Sequence, residues 1–192
     1  MTRIIQISDP HIVPYGQMAY GQVDTAEALS NCVETINRCL PEIGPIDMVF
    51  VSGDLTDFGT VEEYERFRAL MEPLNLAYRV IPGNHDNIEV MRECFADQPW
   101  MPTVGPINWD AHFDDLVVIG LDSSVAEAAH GHLSDETLSF LSTTLEANGG
   151  KPTIVMTHHP PILTGIDKMD IQNLRYSKEF KAILSSYTGE LR

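Results

Sequence analysis

The chain has 192 residues, 43% of them hydrophobic, enough for one domain with a sizeable core. Against 12 Lys and Arg stand 28 Asp and Glu, a formal charge of -16, which argues against non-specific attraction to nucleic-acid backbones or anionic lipid. Cys32, Cys39 and Cys94 show no Cys-x-x-Cys spacing, so neither a disulfide framework nor a zinc-thiolate site is expected, and Cys32 and Cys39 read as buried small apolar side chains of a helix. With no signal-like N-terminus and no apolar window of about 18 residues, a cytoplasmic protein without membrane contact is expected.

In chain order, residues 4–8 are an apolar run of strand length, ended by Asp9-Pro10-His11 because proline cannot donate to a ladder. Pro14, Gly16 and Gly21 make 12–23 a loop, whose large side chains Tyr15, Met18 and Tyr20 suit either a substrate pocket or packing over the core. Asp24 and Glu27 have capping-box spacing, and Leu29, Val33, Ile36 and Leu40 keep the helical period until Pro41, where the helix is expected to stop. Residues 47–52 form a second strand, continuously apolar as a strand covered on both faces should be. It delivers Gly53-Asp54-Leu55-Thr56-Asp57. Thr60 with Glu63 opens a helix with Val61, Tyr64, Phe67 and Met71 as its buried stripe, closed by Pro73. A third strand, 78–81, leads into Gly83-Asn84-His85-Asp86, and the alternation of strand and helix predicts parallel pairing.

Asn87 can cap a short helix through Phe95, and 98–106 reads as loop. Residues 107–113 and 116–121 flank Asp114-Asp115 as a hairpin that starts a second sheet. Ser134 caps a helix carrying Leu138, Leu141 and Leu145, which Gly149-Gly150 end before a strand at 153–157 and His158-His159-Pro160. Residues 177–187 read as a last helix with Phe180, Ile183 and Leu184 inward. Met48, Met71 and Met156 read as core, and His112, His130 and His132 as surface.

The strand-like runs therefore end repeatedly in metal-ligand chemistry, and ligands at the carboxyl ends of neighbouring strands converge in one crevice. Asp9, His11, Asp54, Asn84 and His158 offer carboxylates, imidazoles and an amide oxygen, a set suited to Mn, Fe, Co or Zn rather than calcium. A carboxylate such as Asp54 can bridge two ions, and two ions roughly 3.5–4 Å apart activate a shared water and clamp both oxygens of an in-line phosphoryl displacement. Singly these residues are ordinary, since aspartate caps turns, asparagine tolerates left-handed backbone and histidine is satisfied in cores. Their recurrence at successive strand ends is what points to a site.

Asp-x-His at 9–11, Gly-Asp-x-x-Asp at 53–57, Gly-Asn-His-Asp at 83–86 and His-His-Pro-Pro at 158–161 resemble, in order and spacing, the calcineurin-like metallophosphoesterases. Within them the chain is most similar to the class III cyclic-nucleotide and glycerophosphodiester phosphodiesterases, through Tyr20-Gly21 before the first helix and Gly131-x-Leu133 before the Ser134 helix. The resemblance implies an α/β fold, a four-layer α/β/β/α sandwich, as one domain over 1–192. It implies two divalent ions (Mn, Fe, Zn or Co), with Asp9 and His11 on the first, Asp54 bridging, and Asn84 and His158 on the second. His85 would meet the phosphate or leaving oxygen as acid or stabiliser, with Asn84 beside it, Asp86 orienting its ring, and Asp57 and His159 holding ligands in place. The implied reaction is hydrolysis of a small phosphodiester, cyclic nucleotide or glycerophosphodiester, by a metal-bridging hydroxide without a covalent intermediate.

The family pattern also includes a Gly-His-x-His motif after a further strand, which this chain lacks, and Gly131-His132-Leu133-Ser134 is no substitute because its second histidine is missing. A sandwich without its C-terminal strands is expected, truncated relative to the family, with weakened metal sites and a sheet edge open to self-association as a homo-oligomer. The alternative functions are a non-catalytic scaffold or inactive fragment of the same fold, a phosphomonoesterase, or a nuclease of the superfamily. Acidity opposes the last.

Overall fold

The structure, a computed structural model, describes residues 1–175 and 178–191. Strands β1 (Ile4–Ile7), β2 (Met48–Val51) and β3 (Tyr78–Val80) pair in parallel in the order β1-β2-β3. Helices α1 (Thr25–Ile43) and α2 (Val61–Met71) make the crossovers, as the alternation predicts. Both starts are fixed by side chains: Asp24 accepts from the Glu27 amide at 2.9 Å, and Thr60 and Glu63 close a capping box in both directions. Glu63 is wholly buried and its Oε2 also takes the Phe58 amide at 3.2 Å, which anchors the turn before α2.

Pro41 does not stop α1, contrary to expectation. It sits in the last turn, where it removes one ladder bond and the helix has only to reach Ile43; Gly44, at φ 81°, then closes it with an N–H on the Leu40 carbonyl at 3.2 Å. Cys32 and Cys39 are free and half-buried rather than buried.

The second half builds another sheet, β4 (Trp109–His112) antiparallel to β5 (Val117–Gly120), and β5 parallel to β6 (Thr153–Met156). The 107–121 hairpin is thus where the pattern placed it. Helix α3 (Ile88–Cys94) is capped by Asn87, and α4 (Asp135–Ala147) by Ser134. A one-turn helix, α5 (Asp167–Asp170), was not foreseen, because four residues carry no readable period. Helix α6 (Lys178–Ser186) matches the expected last helix, whose first residue, 177, lies outside the described residues.

The sheets pack face to face. Phe50 of β2 stacks on Trp109 of β4 at 5.4 Å and 13°, and the Trp109 indole donates to the Val80 carbonyl at 2.6 Å. Alternation then covers both faces of β5: Val118 joins the core shared with the first sheet, while Val117 and Ile119 face Leu138, Leu141 and Leu145 of α4 and Phe180 of α6. With α1, α2 and α3 packed in the first core, the layers read helices, sheet, sheet, helices. Glu190 and Leu191 lie alongside β6, the Thr153 amide donating to the Glu190 carbonyl at 2.8 Å. Among the described residues no helix is long and apolar enough to cross a membrane.

Candidate active site

Beyond β1 and β2 the chain keeps pairing after the strands have ended. The Asp9 amide donates to the Gly53 carbonyl at 3.2 Å, His11 to Asp54 at 2.9 Å and Ile12 to Leu55 at 3.0 Å, which sets the two ligand loops side by side. Asp9, His11 and Asp54 all adopt left-handed backbone, φ 55°, 41° and 51°. Such conformations cost on the order of 1 kcal/mol or more at a non-glycine residue and gather where function demands them. His158 enters from β6, so the site spans both sheets rather than one row of neighbouring strands. Two glycines make the convergence possible: a Cβ on Gly53 would lie 2.5 Å from His158 Nδ1, and one on Gly83 would lie 2.1 Å from Asp54 Oδ1.

The imidazoles share one arrangement. Nδ1 of His11 lies 3.0 Å from Asp57 Oδ1, Nδ1 of His158 is 2.9 Å from the Ser52 carbonyl, and Nδ1 of His85 is 2.9 Å from the Asp57 carbonyl. Carbonyl and carboxylate oxygens only accept, so each Nδ1 carries the hydrogen and each Nε2 is left for other work. Nε2 of His11 and Nε2 of His158 then stand 3.4 and 3.5 Å from the same atom, Asp54 Oδ2. Asp9 Oδ1 is 3.8 Å from His11 Nε2, and Asn84 Oδ1 is 3.3 Å from His158 Nε2. The other Asp54 oxygen is held by the His85 amide at 2.9 Å.

These separations fit a pair of divalent cations. An ion about 2.0–2.2 Å from each donor sits between atoms no more than roughly 4.4 Å apart, and every pair just named qualifies. The electrostatics agree. The Asp9 carboxylate, with Asp54 and Asp57 behind it, outweighs burial and raises His11 to about 9. Burial works against His158 too, yet Asp54 raises it; burial would raise Asp54, yet His158 and the His85 amide hold it below the usual carboxylate range. Protons are here the stand-in for cations that the carboxylates attract. Metal must displace the His11 proton, so apparent Mn²⁺ affinity should climb as pH rises from 6 towards about 9 and level off above it, as calorimetric titration can check.

Not every expected role survives. Asp86 does not orient His85: its buried carboxylate accepts from the amides of Gly83 at 2.9 Å and Leu55 at 3.1 Å and from the Tyr64 hydroxyl at 2.9 Å. It ties the 83–86 turn to the loop after β2, and burial pushes it up to about 6. Asp57 instead touches both histidines, its carbonyl on His85 and its carboxylate 3.0 Å from His11 and 3.6 Å from His85. Asp57→Ala should therefore weaken Mn²⁺ binding about 10- to 100-fold, whereas Asp86→Ala, which orphans buried amides, should chiefly lower the melting temperature. Calorimetry beside thermal melts separates the two.

His159 is buried behind His158, the rings 5.0 Å apart, with Nδ1 2.8 Å from Ser123 Oγ; burial and the His158 charge lower it to about 4. Gly131, noticed only as a motif position, is there because a Cβ would meet the His159 ring at 2.4 Å. His112 and His132 are exposed as expected, but His130 is half-buried. The Ser52 carbonyl was missed, since a backbone acceptor leaves no trace in residue type. Beside His85 opens a cavity of about 320 Å³ lined by Asp57, Phe58, Asn84, His85, Glu127, Ala128 and Ala129.

Residues 2–186 match the family model of the calcineurin-like phosphoesterases. The chain belongs to that family. Among curated relatives it is 38% identical over 176 residues to a probable glycerophosphodiester phosphodiesterase, GpdQ, of Arcobacter nitrofigilis, covering 92% of this chain and 63% of that protein. It is 31% identical over 185 residues to the 3',5'-cyclic adenosine monophosphate phosphodiesterase CpdA of Pseudomonas aeruginosa, covering 96% and 64%. The chain thus spans a little under two thirds of the length of these phosphoesterases. The fold is shared with a purple acid phosphatase from yellow lupin seeds, at a TM-score of 0.61 and 15% identity over 98% of this chain and 36% of that one.

Proposed function

We propose that this phosphoesterase chain hydrolyses a small phosphodiester, using two divalent cations held by Asp9, His11 and Asp54 on one side and by Asp54, Asn84 and His158 on the other. The observation that carries this reading is the shared Asp54 Oδ2, 3.4 Å from His11 Nε2 and 3.5 Å from His158 Nε2. The names of the relatives, glycerophosphodiester and cyclic-nucleotide phosphodiesterases, support a diester rather than a monoester as substrate.

When bound, the cations supply Lewis-acid activation of water and neutralise charge on the phosphoryl oxygens. The chain's own residues do the rest. The Asp57 carbonyl takes the Nδ1 hydrogen of His85 at 2.9 Å, so a second proton carried on Nε2 would be the one given to the departing alkoxide or donated to a phosphoryl oxygen. Asn84, on the same turn, keeps its amide oxygen on the His158 side, 3.3 Å from Nε2. Asp54 fixes that turn by accepting the His85 amide, so ligand and acid move as one unit.

The test is the initial rate of bis(4-nitrophenyl) phosphate hydrolysis by metal-stripped chain titrated with Mn²⁺, beside His85→Ala. A Mn²⁺-dependent rate that falls about 10²- to 10⁴-fold in the variant is expected. No rate at saturating metal would contradict the proposal.

A further inference from the structure

Helix α2 reaches all three of the loops that follow the parallel strands. Glu63 Oε2 accepts the amides of Phe58 at 3.2 Å and Thr60 at 2.9 Å, which holds the loop after β2. The Tyr64 hydroxyl donates to Asp86 Oδ1 at 2.9 Å and accepts the Asn87 amide at 2.9 Å, which holds the 83–86 turn after β3. Arg66 Nη1 donates to the carbonyls of Val13 at 2.7 Å and Pro14 at 2.9 Å, and Glu62 Oε1 accepts the Tyr15 amide at 3.1 Å, which holds the loop after β1. Those loops carry Asp9, His11, Asp54 and Asn84, whereas His158 arrives from the other sheet.

These loops need holding. His11 and Asp54 sit in left-handed backbone, and such residues persist only where their surroundings over-determine them. Ahead of Val13, the amide of Ile12 is on the Leu55 carbonyl at 3.0 Å and its carbonyl takes the Asp57 amide at 3.1 Å; beyond it, the next two carbonyls are both on Arg66. The same guanidinium lies 4.6 Å from the Tyr15 ring centroid, so one side chain supplies donors to two carbonyls and a flat cationic face to an aromatic ring. Tyr64 is placed by the core: it is wholly buried, edge-on to Phe95 at 6.5 Å, and burial together with the Asp86 charge pushes its phenol up, so the hydroxyl stays a donor. A bonded buried tyrosine or an arginine on loop carbonyls is, taken alone, ordinary packing. Neighbouring side chains of one helix divided among the three ligand loops are a jig.

Resting on the reading that two cations share Asp54, we propose that the first turns of α2 are the positioning element of the site, with Arg66 holding the loop that carries Asp9 and His11 and Tyr64 holding the turn that carries Asn84 and His85. The two residues act on different cations. Without the Arg66 donors the loop after β1 keeps its pairing only as far as Ile12, and the His11 side of the site loosens. Without the Tyr64 hydroxyl the Asn87 amide and one Asp86 oxygen each lose a partner, and the Asn84 side loosens. Groups that hold a metal ligand from behind set affinity by about 10- to 100-fold.

The experiment is a Zn²⁺ titration of the metal-stripped chain followed by proton–nitrogen NMR of the imidazoles, in which His11 reports one cation and His158 the other. Arg66→Met keeps the aliphatic stem and removes the donors; it should weaken Zn²⁺ binding at His11 about tenfold or more and at His158 several-fold less. Tyr64→Phe keeps the ring and removes one hydroxyl; it should do the reverse. Arg66→Lys, which retains one ammonium donor, should recover part of the loss at His11. Equal losses at both histidines in each variant, or affinities that stay unchanged whatever the melting temperature does, overturn the inference. Hydrolysis of bis(4-nitrophenyl) phosphate by the Mn²⁺-loaded proteins is measured beside it. No rate in the wild type with the split between the histidines intact defeats the function proposed above and leaves the positioning role standing. A single Zn²⁺ in the wild type defeats the two-cation reading, and the response of His11 to Arg66→Met still decides the role of Arg66.

Discussion

Gly83→Ala should remove diester hydrolysis about 10²-fold or more and cost about 1–3 kcal/mol of stability, although it adds a single methyl group. The new Cβ would lie 2.1 Å from Asp54 Oδ1, 2.4 Å from the Asp54 amide nitrogen and 2.8 Å from its carboxyl carbon. Nothing there can give way cheaply. Asp54 Oδ1 is already held by the His85 amide at 2.9 Å, Oδ2 faces both Nε2 atoms, and the Gly83 amide itself is bound to Asp86 at 2.9 Å. Relief must come from moving Asp54 or the 83–86 turn, and either movement separates the groups that the site needs together. Steady-state kinetics and urea unfolding read the two effects, and an alanine variant with unchanged kcat/KM would show that this approach is not needed for activity.

Asp54→Asn should have the largest catalytic effect of a change that leaves the backbone in place. Asparagine tolerates the left-handed conformation at φ 51°, so the loop is kept while the charge is lost. Without the shared carboxylate the expected loss is several kcal/mol of transition-state stabilisation, about 10³-fold in kcat/KM. Stability responds with a definite sign. The folded-state pKa of Asp54 is lowered, so the metal-free wild type has this contribution above the ordinary carboxylate range and loses it as pH falls through the folded value. The asparagine variant should lack that part of the acid dependence, and His11, relieved of one neighbouring charge, should titrate below about 9 by NMR.

What the sequence displayed was periodicity, caps and residue type. The capping pairs Asp24–Glu27 and Thr60–Glu63, the apolar run of β2 and the stripe Tyr64, Phe67 and Met71 each have a local cause and appear in the fold, whereas Val61, expected in that stripe, is exposed in the first turn of α2. The convergence of Asp9, His11, Asp54, Asn84 and His158 was legible because every one follows a strand end. Hidden were features that depend on three-dimensional company. Asp86 looked like a partner for the adjacent His85, yet a four-residue turn points their side chains apart, and Asp57, 28 positions upstream, holds the His85 ring. Pro41 looked like a terminus because the remaining turn could not be seen to need so little. Left-handed backbone at Asp9, His11 and Asp54 leaves no mark in residue type either, since aspartate is ordinary in loops.

Asp54 Oδ2 faces both His11 Nε2 and His158 Nε2, and the proposed function requires that it serve two cations. Anomalous diffraction from crystals soaked in Mn²⁺ tests it most directly. Two anomalous peaks roughly 3.5–4 Å apart, one beside His11 Nε2 and one beside His158 Nε2 with Asp54 between them, are the predicted result. A single peak among His11, Asp57 and His85, whose donor atoms also lie close enough to hold one ion, would contradict it.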